Sequence, residues 1–224
     1  MSDWRILSAV IAGVIRHSIA DPGQIRRALL DDLWVDLKSF GAATVRPIEL
    51  SRIRGIDLVQ VDGPVRRRSA LVLATIAAIL DCDTVFELGP DRSQTADLLA
   101  RNLPAARIYT LAPGTAGPAR TEDDQRVTAL QGEPATFDFA PYSGKIDLVY
   151  IRTARPQARL RTSTDAAFGM LSEYGTVIWD AYTSDPAVYA FLNRLAPSLD
   201  RPTFHLVGTP FAVYSRWDLI LPPD

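Results

Sequence analysis

Hydrophobic and polar positions change their period along this chain. Residues 4–19 are largely apolar, interrupted by Arg5, Arg16 and His17. They predict a helix that stops before Pro22, because the residue ahead of a proline is biased away from helical backbone. Ile25, Leu29, Leu30, Leu33 and Trp34 then recur at three- and four-residue spacing and predict a second helix, closed by Gly41. Arg46-Pro47-Ile48-Glu49-Leu50 and the alternation Ile56-Asp57-Leu58-Val59-Gln60-Val61 predict short strands ahead of the Asp62-Gly63-Pro64 turn. The Ala/Leu/Ile-rich residues 69–80 predict a helix buried on most sides.

From there strands and helices alternate. Strands are predicted over 84–88, 107–111, 127–130, 145–151 and 176–179, and helices over 94–102, 164–171 and 187–195. Residues 203–207 and 211–215, joined through Gly208-Thr209-Pro210, predict an antiparallel hairpin. Alternation of this kind implies a parallel sheet covered on both faces, so the fold class is α/β. The edge hairpin makes the sheet mixed. Two regions follow: residues 1–64, helices with short strands, as a lid or subunit contact, and residues 65–224 as the main domain.

Composition narrows the function more than the fold. The chain has 224 residues, of which 47% are hydrophobic and 22% charged, with a net charge of −2. These are globular values, and no basic excess points to nucleic acid. The single cysteine, Cys82, excludes an internal disulfide and Cys-rich metal sites. The balance reads as that of a soluble, cytoplasmic protein. Residues 4–19 are too short for a spanning helix, which needs about 20 apolar residues. A buried or partner-facing helix is the main reading, with a peripheral membrane helix as the lesser one. The main reading implies a homodimer or a complex with another protein through the N-terminal helix. Lys38 and Lys145 are the lysines and every other basic residue except histidine is an arginine, a bias expected of codon usage.

In open α/β sheets ligands bind beyond the carboxyl ends of the strands, at the switch in strand order. The residues to weigh are therefore those just after each strand. Gly89-Pro90-Asp91-Arg92-Ser93-Gln94 holds one glycine where a dinucleotide loop uses three. Asp91 and Gln94 also fit a capping box, so a plain capped turn and a ligand loop are equally good readings of this segment.

Glu87-Leu88-Gly89, Ile108-Tyr109-Thr110-Leu111, Thr136-Phe137-Asp138-Phe139-Ala140-Pro141-Tyr142, Asp147-Leu148-Val149-Tyr150-Ile151, Tyr174-Gly175-Thr176-Val177-Ile178-Trp179 and Gly208-Thr209-Pro210-Phe211-Ala212-Val213-Tyr214 occur in this order. Their order and spacing over about residues 65–216 resemble the class I S-adenosylmethionine-dependent methyltransferases, in particular the bacterial O-methyltransferase-like group. The resemblance implies a Rossmann-like sheet of seven strands, mostly parallel, with an antiparallel C-terminal hairpin. It also implies an S-adenosylmethionine site formed by Glu87, Gly89, Ser93, Ala112 and Glu133, with Glu133 facing the adenine.

Several of those positions depart from the family pattern. Ser93 stands at a second glycine, and Ala112 stands where an acid holds the ribose hydroxyls. Arg152-Thr153-Ala154-Arg155 replaces the Asp-Gly run that supplies metal or catalytic groups, and Ala181 replaces a metal-ligating acid beside Asp180. A divalent cation wants several oxygen ligands, and an arginine repels it, so no metal is expected. Losing one charged hydrogen bond costs about 1.5–3 kcal/mol, roughly ten- to a hundredfold in cofactor affinity.

Two functions follow from these losses. The first is a methyltransferase-like pseudoenzyme, with S-adenosylmethionine binding and catalysis weakened or lost, acting as a binding or partner subunit. The alternative is an active, metal-independent small-molecule methyltransferase working by proximity, with Asp180 as base and Tyr182 lining the acceptor pocket. Arg152 and Arg155, followed by Arg159 and Arg161, are further candidates for binding an anion. The competing reading is a solvated turn with salt bridges to Asp180 or Glu173.

Overall fold

The computed structural model describes residues 44–56, 65–89, 94–112, 125–152 and 157–221. The expected helices over 4–19 and 25–34, the turn at 62–64, and Ser93 and Arg155 lie outside them. Within the described residues, the chain carries β1 (Arg46–Ile48), α1 (Val65–Ile79), β2 (Thr84–Leu88), α2 (Gln94–Asn102), β3 (Arg107–Ala112), β4 (Val127–Gln131) and β5 (Ile146–Ile151). Then come α3 (Gln157–Met170), β6 (Leu171–Trp179), α4 (Pro186–Leu195), β7 (Thr203–Leu206) and β8 (Ala212–Ser215). The strands form one sheet in the order β1-β7-β8-β6-β5-β2-β3-β4. Every neighbouring pair is parallel except the two made by β8.

The central strands are continuous apolar runs because both faces of the sheet are covered. Val85, Phe86, Leu148, Val149, Val177 and Ile178 all have no exposed surface. Alternation along each strand splits the core. Val85, Leu148, Tyr150 and Ile178 pack with Val72, Ile76 and Leu99 of α1 and α2. Phe86, Val149, Val177 and Trp179 pack with Leu160, Ala167, Val188 and Leu192 of α3 and α4. Trp179 donates its indole N–H to Thr164 Oγ1 at 3.0 Å, satisfying the one polar atom that its burial would strand.

Asp147, at the start of β5, ties three strands together. Its Oδ2 accepts from the backbone N–H groups of Asp83 and Thr84 and from Thr84 Oγ1, at 3.0–3.1 Å. Its Oδ1 accepts from Ser172 Oγ at 2.8 Å. This motif residue therefore aligns β2, β5 and β6 at the amino end, opposite to where ligands bind.

Two features depart from the sequence expectations. The sheet has an eighth strand rather than seven, because β1 adds to the edge, with Arg46 beside Phe204 and Ile48 beside Leu206. Segment 44–56, assigned above to the N-terminal region, is thus built into the same sheet as the main domain. A bridge between Ile53 and Ile220, and the hydrogen bonds Arg54 N–H to Leu219 O and Leu221 N–H to Arg52 O, fasten it further. The second departure concerns β6, which begins at Leu171, directly after α3, and not at Thr176. Leu171 pairs with Ile146, and the register then jumps so that Thr176 pairs with Leu148. The surplus residues bulge out and leave Tyr174 63% exposed. Helix α3 also starts earlier than expected, at Gln157, where Ala158, Arg159, Leu160 and Arg161 are all good helix formers.

Candidate functional site

β2 lies between β3 and β5, and the chain runs from β2 to β3 on one side before reaching β5 on the other. The switch in strand order therefore falls between β2 and β5. Backbone pairing continues just past these strands and sets their carboxyl ends level. Gly89 donates to Leu111 O at 3.1 Å, Arg152 to Leu88 O at 2.8 Å, Asp180 to Ile151 O at 2.9 Å and Gly132 to Ala112 O at 3.1 Å. Glu87, Gly89, Ala112, Arg152 and Asp180 are thereby gathered along one edge.

Glu87 stands beside Tyr150 in the β2–β5 register, and Tyr150 beside Ile178 in the β5–β6 register. Neighbouring positions in register share a face, and so do positions two apart on a strand. Glu87, Tyr150, Arg152 and Asp180 accordingly share the face covered by α1 and α2. Two pairs form there. Arg152 Nη1 lies 3.7 Å from Glu87 Oε1, with the guanidinium side chain 34% exposed and the glutamate side chain 2%. Tyr150 donates its hydroxyl to Asp180 Oδ2 at 3.1 Å. Burial pushes the Tyr150 phenol far above its ordinary range, and the charge of Asp180 adds to this while Arg152 opposes it. The phenol therefore stays protonated and remains a donor.

Asp180 is held on its other side by the backbone. Its Oδ1 accepts from the Ala181 N–H at 2.7 Å. Ala181 has φ of +63°, a left-handed conformation costing a non-glycine residue on the order of 1–2 kcal/mol. Hydrogen bonds around the turn hold it: Tyr182 N–H to Pro210 O and Asp185 N–H to Ala181 O, both at 2.8 Å. The carboxylate suggested by the sequence as a base is thus an oriented acceptor with a donor on each oxygen.

The other positions are placed as follows. Glu133, just beyond β4, pairs with Arg159 of α3, Oε2 to Nη2 at 2.7 Å. Ala112 ends β3 and offers only a methyl group, so its own side chain supplies no acceptor. The salt bridges expected from Arg152 to Asp180 or Glu173 are replaced by the one to Glu87. The sequence missed that pairing because Glu87 and Arg152 meet only across the β2–β5 register. Tyr150 was missed as a polar residue for a similar reason, since within its apolar run it reads as core. Tyr182 is 2% exposed, accepts from Asn193 Nδ2 at 3.1 Å, and lies against Tyr189 and His205, with centroids 5.1 and 5.2 Å away. Its ring is packed within the core. Cys82 is buried and its thiol is pushed up by burial, which makes it inert. Among the described residues no three metal-ligating side chains come together, and no helix is long and apolar enough to cross a membrane.

No protein-family model and no curated protein matches the chain. Solved structures do. The O-methyltransferase TomG of Streptomyces achromogenes, in complex with S-adenosylmethionine, is 15% identical with a TM-score of 0.50, over 71% of this chain and 82% of that one. The S-adenosylhomocysteine-bound methyltransferase PaMTH1 of Podospora anserina gives 15% and 0.50, over 73% and 83%. The methyltransferase domain of bacterial CtHen1 gives 11% and 0.51, over 67% and 97%. The fold is that of the class I S-adenosylmethionine-dependent methyltransferases. At these identities it is the architecture that is shared. In class I terms, β2 to β8 are the family's seven strands and β1 is an addition beside its hairpin.

Proposed function

We propose that this chain is a methyltransferase-fold protein that has given up S-adenosylmethionine-dependent catalysis and serves as a binding or partner subunit. The observation that carries this reading is the pairing of Arg152 with Glu87 at the switch point. Three features of the donor set argue that the residues present do not fit S-adenosylmethionine. A guanidinium lies against the buried carboxylate at the end of β2, so a sulfonium cation brought to this switch point would meet another cation. The acid beyond β4 is engaged by Arg159. Ala112 supplies no acceptor for ribose hydroxyls, a loss of about 1.5–3 kcal/mol. The partner contact is assigned to residues 4–19, whose apolar run has no ligand to serve in this reading.

The test is calorimetry of the full chain with S-adenosylmethionine and S-adenosylhomocysteine. The proposal expects no heat at millimolar ligand from protein that circular dichroism shows to be folded. Binding at micromolar concentration overturns it and transfers the weight to an active, metal-independent methyltransferase. Gel filtration of the same sample at micromolar concentration examines the partner reading, and a monomer there removes the homodimer.

A further inference from the structure

We propose that the crevice between β2 and β5 is an anion-binding site, with Arg152 gripping one carboxylate or phosphate group of a small ligand. This deepens the reading of the crevice as no longer a sulfonium site. A guanidinium carries five N–H donors in a fixed fork that matches two oxygens of an anion. Among the described residues Arg152 has one ion-pair partner, Glu87 Oε1 at 3.7 Å, which is beyond hydrogen-bond reach. The fork is therefore held by charge without being filled.

Burial decides which group meets solvent. Glu87 is 2% exposed beneath a guanidinium that is 34% exposed, so the outward group is the cation. The nearby Asp180 carboxylate is turned to Tyr150 Oη and to the Ala181 N–H. Gly89, just past β2, stands opposite with no side chain, and a Cβ there would lie 3.5 Å from Arg152 Cβ, so this residue places no side chain against the arginine. The buried acid attracts the guanidinium by charge without occupying its N–H donors. An arriving anion takes the fork while Glu87 keeps the charge balance below. The place is also where ligands of open α/β sheets bind.

The probes are inorganic phosphate and acetate, titrated separately at constant ionic strength, with thermal stability and calorimetry as readouts. The expected result is a saturable rise in Tm with one or both probes. The phosphate and acetate arms show which oxyanion the fork prefers. Arg152→Ala weakens binding by roughly tenfold or more, and Arg152→Lys, which keeps charge but not the fork, weakens it by less. Glu87→Gln removes the competing charge while keeping an acceptor, and tightens binding several-fold. A merely structural ion pair would give no such tightening. Dose-independent Tm in the wild type, or equal affinity in Arg152→Ala, overturns the proposal. S-adenosylhomocysteine is run in parallel. If it binds and depends on Arg152, the anion site stands and the loss of cofactor binding falls; if it stays silent while phosphate or acetate binds, both stand.

Discussion

Asn193 and Thr44 are 149 positions apart in the chain and are joined by hydrogen bonds: Asn193 Oδ1 accepts from the Thr44 N–H at 2.8 Å, and Thr44 Oγ1 donates to Asn193 O at 2.5 Å, with Asn193 Oδ1 3.5 Å from the same hydroxyl. Asn193 Oδ1 also accepts from the Val45 N–H at 3.1 Å, and its Nδ2 donates to Tyr182 Oη and Tyr189 O. One 4%-exposed amide thus joins α4 to the entry of β1. Asn193→Ala leaves buried donors and acceptors without partners, at about 1–3 kcal/mol for each such group. A loss on the order of 2–4 kcal/mol in urea denaturation is expected, with little change in the denaturant slope. A loss below about 0.5 kcal/mol, the range of a neutral surface change, would sink the clip.

Asp147 makes a sharper comparison. Asp147→Ala abolishes its bonds to Asp83, Thr84 and Ser172 and is expected to cost on the order of 2–4 kcal/mol, since hydrogen bonds to charged groups contribute about 1.5–3 kcal/mol each. Asp147→Asn keeps one oxygen and should retain roughly half of that. Equal losses in the two variants, measured by thermal and urea unfolding, would mean that the site serves packing and not hydrogen bonding.

His205 gives stability a pH dependence. It lies in β7 with Nε2 donating to Thr209 O at 3.1 Å, and burial holds its pKa below the ordinary 6.5, against the opposing pull of Thr209 and Glu49. The unfolded chain therefore takes up a proton first as pH falls. Stability is full above about 6.5 and declines below it, until pH reaches the lower folded value and the decline levels off. His205→Gln should flatten the stability curve between about pH 7 and 5. An unchanged slope in that variant would assign the titration to other groups.

Two glycines predict opposite signs. A Cβ on Gly175 would lie 2.8 Å from Leu171 Cδ2 and 3.0 Å from the carbonyl oxygen of Ile146, inside the β5–β6 irregularity. Gly175→Ala is expected to cost about 1–3 kcal/mol, as overpacking does. A Cβ on Gly169, in the last turn of α3, would meet nothing within 4 Å. Gly169→Ala should stabilise by up to about 1 kcal/mol, through helix propensity. Melting temperatures of the pair decide the point, and a shift in the same direction for both would contradict it.

The sequence alone determined the alternation of elements, because each strand of the central sheet is an apolar run long enough to be buried on both faces and each helix carries its own period. Val85, Leu148 and Ile178 announce their burial without any knowledge of their neighbours. The antiparallel hairpin was legible from Gly208-Thr209-Pro210 between two short β-rich runs. The sequence also marked Arg152 and Asp180 as lying just after strands, and Glu87 through the family resemblance. Tertiary structure alone decided their partners. Strand register set Glu87 against Arg152, a left-handed turn at Ala181 aimed Asp180 at Tyr150, and sheet order put β1 on β7. Each depends on contacts between residues distant in the chain, where a shift of one residue would turn a side chain to the other face. Local propensity carries no information about such shifts, so the sequence could name the groups at the site and only the folded sheet could pair them.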